Sequence, residues 1–194
     1  RRLVTIYKGH DVRWYAPTSL PQRADFGIPS DAFVVGCTAM MRAVKGIDDL
    51  LQAISSLLPE LPRLHLLLIG GIKDRSIEQA VADFPDPSRI HLTGFRSDAT
   101  DLARLANVTV MASKDREGFP KAVIEAMSQG VPAIVTAVGG MPELVDHGSA
   151  GLMVPPKDPH ALAVAIKSLY HDQATLTRLG EAARARIQTA FNIE

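Results

Sequence analysis

The feature that most constrains the fold is an alternation of short apolar runs with amphipathic stretches along most of the chain. Several of the runs are apolar throughout, which is typical of strands that are buried on both faces. The stretches between them carry apolar residues at helical spacing. Strands and helices that take turns in this way predict an α/β fold, with a doubly wound, mainly parallel sheet covered by helices on both faces.

The segment Asp11–Asp31 is rich in proline and polar residues, and it is predicted to be an irregular connection. The predicted strands are Leu3–Tyr7, Phe33–Ala39, Leu64–Ile69, Ile90–Thr93, Val108–Met111, Ala133–Thr136 and Gly151–Val154. The predicted helices are Ile47–Leu58, Ser76–Phe84, Ala99–Ala106, Pro120–Gln129, Pro142–Asp146, His160–Tyr170 and Ala174–Thr189.

The composition argues against several classes of protein. The 194 residues are typical of one domain, and the 21 basic residues balance the 21 acidic ones. No overall field would therefore attract nucleic acid or a membrane surface. We expect a soluble domain, because no apolar segment approaches the ~20 residues of a membrane span and no signal-peptide core is present. The single cysteine, Cys37, lies in an apolar run and is predicted to be a buried, unreactive thiol.

Motifs of several enzyme classes are missing from the sequence. The six histidines show no metal-ligand spacing, and one cysteine cannot complete a thiolate site. There is no Gly-x-Ser-x-Gly elbow and no Walker loop, and no Gly-x-Gly-x-x-Gly follows a strand. Hydrolase, P-loop nucleotidase and nicotinamide or flavin functions are thus unsupported, and no metal site is expected.

Residues 108–130 predict a buried strand, a charged loop and a helix. The helix should begin at about Pro120 and end before Gly130, which are typical residues for those two positions. Open α/β sheets bind ligands where a loop leaves the carboxyl end of a strand and enters a helix, because free N–H groups favour anions there. The loop Ser113–Glu117 is therefore the first candidate site.

Two glutamates, Glu117 and Glu125, bracket the start of this helix. Their spacing places them roughly 12 Å apart along the helix axis, too far for a pair of glycosidase carboxylates, which need about 5 to 9.5 Å. This separation would allow the two glutamates to form hydrogen bonds with different parts of one long ligand. Alternatively, Glu125 belongs to an ordinary polar stripe on the helix surface, with Lys121, Ser128 and Gln129, and forms an exposed pair with Lys121. The spacing alone slightly favours this second interpretation.

Two other loops carry candidate ligand groups. Arg42 and Lys45 precede a helix whose N-cap is predicted at Asp48 or the residue before it, where a diphosphate would relieve the repulsion between cations and helix dipole. Two solvated charges are an equally open interpretation. Phe95 and Arg96 follow another strand and either flank a planar base or are a core residue and a solvated one.

The turn at Gly139 and Gly140 follows a further strand and precedes a predicted helix. It is either a sharp connection or a place where backbone N–H groups approach the ligand. The residues themselves leave both interpretations open.

Residues 117–127, EGFPKAVIEAM, resemble the Glu-x7-Glu signature of the retaining glycosyltransferases of family 4, which have the two-domain GT-B fold. The segments HLLLIG and IHLTGFRSDA upstream, and GVPAIVTAVGGMPELVDHGSAGLMVPPKDPHALAVAI downstream, are similar to that family in the same order and spacing. The resemblance covers nearly the whole chain. It implies the Rossmann-like, donor-binding half of an enzyme that transfers a hexose from a nucleotide-diphosphate sugar to an acceptor with retention of configuration.

The resemblance also implies roles for single residues. Glu125 would bind the ribose, Glu117 would bind hydroxyls of the transferred sugar, and Lys45 would bind the donor's phosphates. Backbone N–H groups around Gly118 and Phe119 would hold the diphosphate together with the cations. The candidate catalytic residues are thus Lys45, Arg42 and Glu117, and the candidate donor-binding residues are Glu125, Gly118, Phe119, Pro120, Phe95 and Arg96.

One position departs from the family pattern. Many members have Gly-Arg-Leu, with the arginine five residues before the lysine, but Met40 occupies that position here. Either Arg42 supplies the second cation from a shifted position, which we favour, or the role of the arginine is reduced.

The family also implies what lies outside the chain. YKGHD resembles a strand that follows the linker from an N-terminal domain, and family members continue past FNIE into a helix that returns to that domain. We therefore expect residues 1–194 to be a single donor-binding domain, without the acceptor-binding half and the final crossover helix. Membrane contact is expected only through the absent half, at the inner membrane surface of a cytoplasmic protein.

The expected partners are a nucleotide-sugar donor and an acceptor held by the absent half, in polysaccharide or glycolipid biosynthesis. No cofactor is expected, and no metal, because a nucleotide diphosphate leaves without an acid to protonate it. Two alternatives from other classes are a sugar-nucleotide epimerase with the GT-B fold and a non-catalytic domain that binds a nucleotide or a partner protein.

Overall fold

The computed structural model describes residues 9–16, 18 and 20–192. They form a six-stranded sheet in the order β3-β2-β1-β4-β5-β6, and every neighbouring pair of strands is parallel. The strands are β1 (Phe33–Thr38), β2 (Leu64–Ile69), β3 (Ile90–Leu92), β4 (Val108–Met111), β5 (Ala133–Thr136) and β6 (Gly151–Val154). The helices are α1 (Ile47–Leu57), α2 (Arg75–Ala82), α3 (Ala99–Leu102), α4 (Lys121–Ser128), α5 (Met141–Leu144), α6 (Pro159–His171) and α7 (Gln173–Ala190). The predicted strand Leu3–Tyr7 lies outside the described residues.

Helices cover both faces of the sheet. In β1, Val35 and Cys37 pack into the cluster that contains α1 and α6, whereas Val34 packs into a cluster on the opposite face with residues of α3 and α4. All six residues of β2 are buried, as expected for a parallel sheet that is covered twice. Burial raises the pKa of the Cys37 thiol to about 12. The predicted doubly wound α/β fold is confirmed.

The starts of two helices differ from the predictions. The N-cap of α1 is Gly46, not Asp48 or the residue before it, because a 3-10 turn closes at Gly46 in the left-handed conformation. Asp48 and the next residue thus occupy the first turn, where the helix dipole favours acids. Pro120 is the N-cap of α4 rather than its first residue, and Gly130 (φ +83°) follows the end of that helix as predicted.

Two other elements of the structure differ in detail from the predicted ones. The predicted helix Ala99–Ala106 is a short α-helix that continues as a 3-10 turn. The irregular connection Asp11–Asp31 contains two short 3-10 helices in its described part. No helix in the described ranges has the length and apolar character needed to cross a membrane.

A pair of stacked histidines joins β2 to β3 at the edge of the sheet. His65 Nδ1 lies 2.9 Å from His91 Nε2, and the two ring centroids are 5.2 Å apart. Burial, followed by the charges of His91 and Arg89, lowers the pKa of His65 to about 4. Burial also lowers the pKa of His91. Both rings are therefore neutral in the folded chain at neutral pH.

We expect this pair to make the chain less stable in weak acid. Below about pH 6.5 the unfolded chain takes up a proton that folded His65 does not, so stability is lost as the pH falls towards 4. The free energy of unfolding should fall by about 2 kcal/mol from this group between pH 7 and pH 5, as measured by urea denaturation. The double variant His65→Gln/His91→Gln should lose most of this dependence. The exposed His160→Gln should keep it, and an equal pH dependence in all three proteins would contradict the assignment.

The order of the strands reverses between β1 and β4. In doubly wound sheets, ligands bind in the crevice at the carboxyl ends of the strands, at the point where the order reverses. The loops that follow β1 and β4 carry Lys45 and Glu117. The topology thus places these two candidate loops side by side.

Candidate functional site

The loops after β1 and β4 are joined by an ion pair. Lys45 Nζ lies 2.5 Å from Glu117 Oε2, and both side chains are largely buried. A second link is the hydrogen bond that the Lys114 N–H donates to the Val44 carbonyl, at 2.8 Å. Gly46 allows this close approach, because a Cβ there would lie 1.9 Å from the carbonyl oxygen of the facing β4 loop. These contacts hold the lysine beside the acid.

Glu117 is supported from two further sides. Its Oε2 also accepts a hydrogen bond from Ser113 Oγ at 2.8 Å. Its backbone carbonyl accepts one from the Gly140 N–H at 2.9 Å, and a Cβ on Gly139 (φ +55°) would lie 1.7 Å from that carbonyl oxygen. A Cβ on Gly140 would lie 2.7 Å from Cε2 of Phe119. Both glycines thus allow the turn to pack closely against the loop that carries Glu117.

Glu125 lies on α4 and is buried, with 6% of its surface exposed. Lys121 Nζ lies 2.9 Å from its carboxylate, so the predicted pair forms. The interpretation of this pair as a solvated one is wrong for the acid, because only Lys121 is exposed. Tyr15 is also close, and burial, followed by the charge of Glu125, raises its pKa to about 12. A buried carboxylate needs partners, and here its one ion pair within the described chain is with an exposed lysine.

A cavity of about 490 Å³ lies between α4 and the carboxyl ends of β1 and β2. Its lining is mostly apolar, with Met40 and Ile72 among the contributors, and Glu125 and Lys73 supply charged groups. Cavities of this size and character are typical of small-molecule sites. The buried carboxylate of Glu125 is thus placed at the wall of an open, largely apolar space.

Phe95 and Arg96 lie at the same cavity. Phe95 is 87% exposed, so the interpretation of this residue as part of the core is wrong. Arg96 donates two hydrogen bonds of 2.8 Å to Asp98, and its guanidinium lies 6.0 Å from the centroid of the Phe26 ring. An exposed aromatic ring beside a fixed guanidinium can pack against a planar ligand.

Arg42 is exposed at the N-cap of the 3-10 turn before Lys45, and its side chain pairs with no described residue. It is not among the residues that line the 490 Å³ cavity, whereas Met40, at the position of the family's arginine, is. The structure therefore brings Lys45 and Glu117 together and leaves Arg42 nearby with an unpaired charge.

The segment Gly118–Pro120 leads into α4. Gly118 is exposed, Phe119 packs against Phe191 with ring centroids 5.3 Å apart, and Pro120 caps the helix without a side-chain hydrogen bond. The first turn of α4 contains no acid. Uncapped N–H groups at a helix start favour an anion, so this start offers one a place close to Lys45.

Two residues at the site were not identified from the sequence as functional candidates. The sequence predicts Ser113 only as the start of a loop, yet its hydroxyl donates a hydrogen bond to Glu117. Lys73 lines the cavity and makes no ion pair in the described part of the chain. The available signal for both was their position just after a predicted strand, at the edge of the sheet where the other candidates lie.

The side chains at the site could bind different parts of one long ligand. The cavity fits a flat, partly apolar group, and Glu125 can accept hydrogen bonds from its hydroxyls. Lys45 and the start of α4 can hold an anion, and Glu117 can accept hydrogen bonds from a further polar group. Within residues 9–16, 18 and 20–192, no group of three or more His, Cys, Asp or Glu side chains could hold a metal ion.

Curated relatives match almost the whole chain. It is 28% identical over 191 residues to the N-acetyl-alpha-D-glucosaminyl L-malate synthase of Bacillus anthracis, covering 98% of this chain and 50% of that protein. It is 31% identical over 196 residues to the D-inositol 3-phosphate glycosyltransferase of Streptomyces avermitilis, covering 94% of this chain and 42% of that protein. The chain thus spans about half the length of the relatives that it matches.

Solved structures and a family pattern agree with these relatives. HepE of Anabaena in complex with UDP matches with a TM-score of 0.86 and 26% identity, over 96% of this chain and 53% of HepE. HepE has also been solved with UDP-glucose. The pattern of the family described as "Glycosyl transferases group 1" matches residues 19–186. The chain therefore belongs to the glycosyl transferases group 1 and has the Rossmann-like fold of one half of a GT-B protein.

Proposed function

We propose that this chain is the donor-binding half of a retaining glycosyltransferase of family 4, which transfers a hexose from a nucleotide-diphosphate sugar to an acceptor. The observation that carries the proposal is the buried Glu125 at the wall of a cavity of nucleoside size, on the helix that follows the loop with the Lys45–Glu117 pair. The order of these groups suits the base and ribose at the cavity, the diphosphate at Lys45 and the start of α4, and the sugar at Glu117. The UDP and UDP-glucose complexes of HepE support a UDP-hexose as the first donor to test.

In the proposed mechanism, the protein stabilises the charge that develops on the diphosphate as the glycosidic bond breaks. Lys45, Arg42 and the N–H groups around Gly118 and Phe119 supply positive potential where that charge appears. Such groups, fixed in advance, lower the barrier because they interact more strongly with the transition state than with the ground state. A diphosphate leaves without a proton donor, so the proposal requires neither a second acid nor a metal or cofactor.

The nucleoside would occupy the cavity. Its base would pack against Phe95, with Arg96 beside it, while Glu125 would accept hydrogen bonds from the ribose hydroxyls. Pro120 would place the first turn of α4 against the phosphates. Glu117 would accept hydrogen bonds from hydroxyls of the transferred sugar.

The rest of the enzyme is part of the same proposal. The acceptor would bind mainly to an N-terminal domain outside residues 1–194, and a terminal helix would cross back to that domain. The proposed products are polysaccharides or glycolipids made in the cytoplasm, with contact to the inner membrane surface only through the other half. Alone, this chain is expected to bind donor and turn over little or none of it.

Glu125→Ala is expected to weaken the binding of free UDP by about tenfold, the loss typical of one hydrogen bond to a charged group. The loss should persist without an attached sugar, because the ribose is common to UDP and UDP-glucose. Calorimetric titration of this chain would measure it, with the exposed Glu181→Ala on α7 as the matched control. An unchanged UDP affinity in Glu125→Ala would show that the acid does not bind the nucleotide.

The stereochemistry of transfer tests the proposal as a whole. We expect the full-length enzyme to form an α-linked product from an α-linked UDP-hexose, as followed by NMR of the anomeric proton. A β-linked product would contradict retention. Release of a changed sugar nucleotide without an acceptor would identify an epimerase, and donor binding without transfer would identify a non-catalytic domain.

A further inference from the structure

The carboxylate of Glu117 is held through one of its two oxygens. Oε2 accepts hydrogen bonds from both Lys45 Nζ, at 2.5 Å, and Ser113 Oγ, at 2.8 Å. Oε1 accepts none from the described residues, and 16% of the side chain is exposed. The carboxylate is therefore fixed from one side, and its other oxygen remains available to a ligand.

Ser113 is itself fixed by the sheet. It is 1% exposed, and its carbonyl accepts a hydrogen bond of 2.7 Å from Thr136 Oγ1 at the end of β5. Thr136 is 3% exposed. Ser113 lies two residues past the end of β4, so two neighbouring strands set the position of its hydroxyl.

The two donors to Oε2 differ in what a ligand would do to them. A diphosphate carries more charge than one carboxylate and would attract the ammonium group of Lys45. The hydroxyl of Ser113 is neutral and buried, so the charge of a bound anion would attract it only weakly. A lysine that shares its charge with the phosphates would hold Glu117 less strongly, whereas the hydrogen bond from Ser113 to Glu117 would be unchanged.

We propose that Ser113 is a positioning residue, which keeps the Glu117 carboxylate aimed at the sugar of a bound nucleotide-diphosphate sugar after Lys45 has engaged the diphosphate. This inference rests on the proposed function and adds a residue to it. Ser113 acts through Glu117, so its loss affects recognition of the sugar and leaves recognition of the nucleotide unchanged. That separation distinguishes positioning from a general contribution to folding.

The first test is calorimetric titration of this chain and of Ser113→Ala with UDP and with UDP-glucose. The variant should bind UDP within about twofold of the parent chain, whereas its affinity for UDP-glucose should fall about tenfold, the lower end of what one hydrogen bond to a charged group contributes. Ser168→Ala, whose hydroxyl bonds only a carbonyl of its own helix α6, is the matched control. Ser113→Cys keeps a donor, although a weaker and larger one, and its affinity for UDP-glucose should lie between those of the parent chain and Ser113→Ala.

A double-mutant cycle tests whether Ser113 acts through Glu117. In a Glu117→Ala background the hydroxyl has no carboxylate to hold, so Ser113→Ala should cause no further loss of affinity for UDP-glucose. An unchanged ratio of the affinities for UDP and UDP-glucose in Ser113→Ala, or full additivity in the cycle, would overturn the role of Ser113. Neither result would affect the proposed function. Failure of the parent chain to bind either UDP or UDP-glucose would instead overturn the proposed function and this inference with it.

Discussion

Lys45→Ala is expected to lower kcat/KM of the full-length enzyme by about 100-fold, the scale seen when one fixed donor to a developing negative charge is removed. Lys45 is the candidate cation whose position the structure fixes, through its 2.5 Å contact with Glu117. Its loss removes positive charge at the leaving diphosphate and also leaves the largely buried carboxylate of Glu117 without its counter-ion. Steady-state kinetics with a UDP-hexose would measure the change.

The control for this variant is Lys167→Ala, whose lysine lies on α6 and pairs with Glu60 at the surface. It should behave like the parent enzyme. A value of kcat/KM for Lys45→Ala within about threefold of the parent would contradict the role of this lysine in stabilising the leaving group.

Arg42→Ala in the same assay decides between the two open interpretations of Met40. If Arg42 supplies the second cation from its shifted position, its removal should cost a large part of what Lys45→Ala costs. If the role of the family's arginine is reduced in this protein, Arg42→Ala should resemble the parent. The exposed, unpaired side chain of Arg42 is compatible with the first interpretation, which we favour.

Glu117→Gln is expected to change turnover and nucleotide affinity in opposite directions. Glu117→Gln should lower kcat by about 100-fold and, at the same time, bind free UDP more tightly than the parent chain. The amide keeps the shape of the side chain and can still accept from Ser113, but it has no charge. Lys45 is then free to pair with the diphosphate, because it no longer shares its charge with a carboxylate 2.5 Å away.

Titration with UDP at low and at physiological salt would show the second part of this effect. We expect the gain in affinity to be about threefold or more, and to shrink as salt screens the freed charge. Glu143→Gln, a change of the same chemistry on α5, should show neither effect. Unchanged UDP affinity together with normal turnover would contradict both the sugar-binding role of Glu117 and the competition for Lys45.

The sequence predicted the sheet well because its signal is local. Fully apolar runs such as Leu64–Ile69 mark strands buried on both faces, and the structure places that strand at the same residues. The start of α1 was missed for a non-local reason. Gly46 takes its left-handed conformation where the chain meets the backbone after β4, a contact that nearby sequence does not reveal.

The sequence predicted individual residues of the site but not the contacts between them. The resemblance named Lys45 and Glu117, but their ion pair joins residues 72 positions apart along the chain. The burial of Glu125 could not be predicted from helical spacing, because it depends on the elements that pack around α4 and form the cavity. The sequence signal for Ser113 was only its position just after a predicted strand, and that signal is weak because serine is common in loops.

Calorimetric titration of this chain with UDP, GDP and ADP, each with and without an attached hexose, would show whether the cavity beside Glu125 binds a nucleotide sugar. We expect saturable binding of one nucleotide and of the corresponding nucleotide sugar, with UDP and UDP-glucose favoured, and an affinity about tenfold weaker in Glu125→Ala. Binding of no nucleotide, or binding that Glu125→Ala leaves intact, would contradict the assignment of this cavity as the donor site.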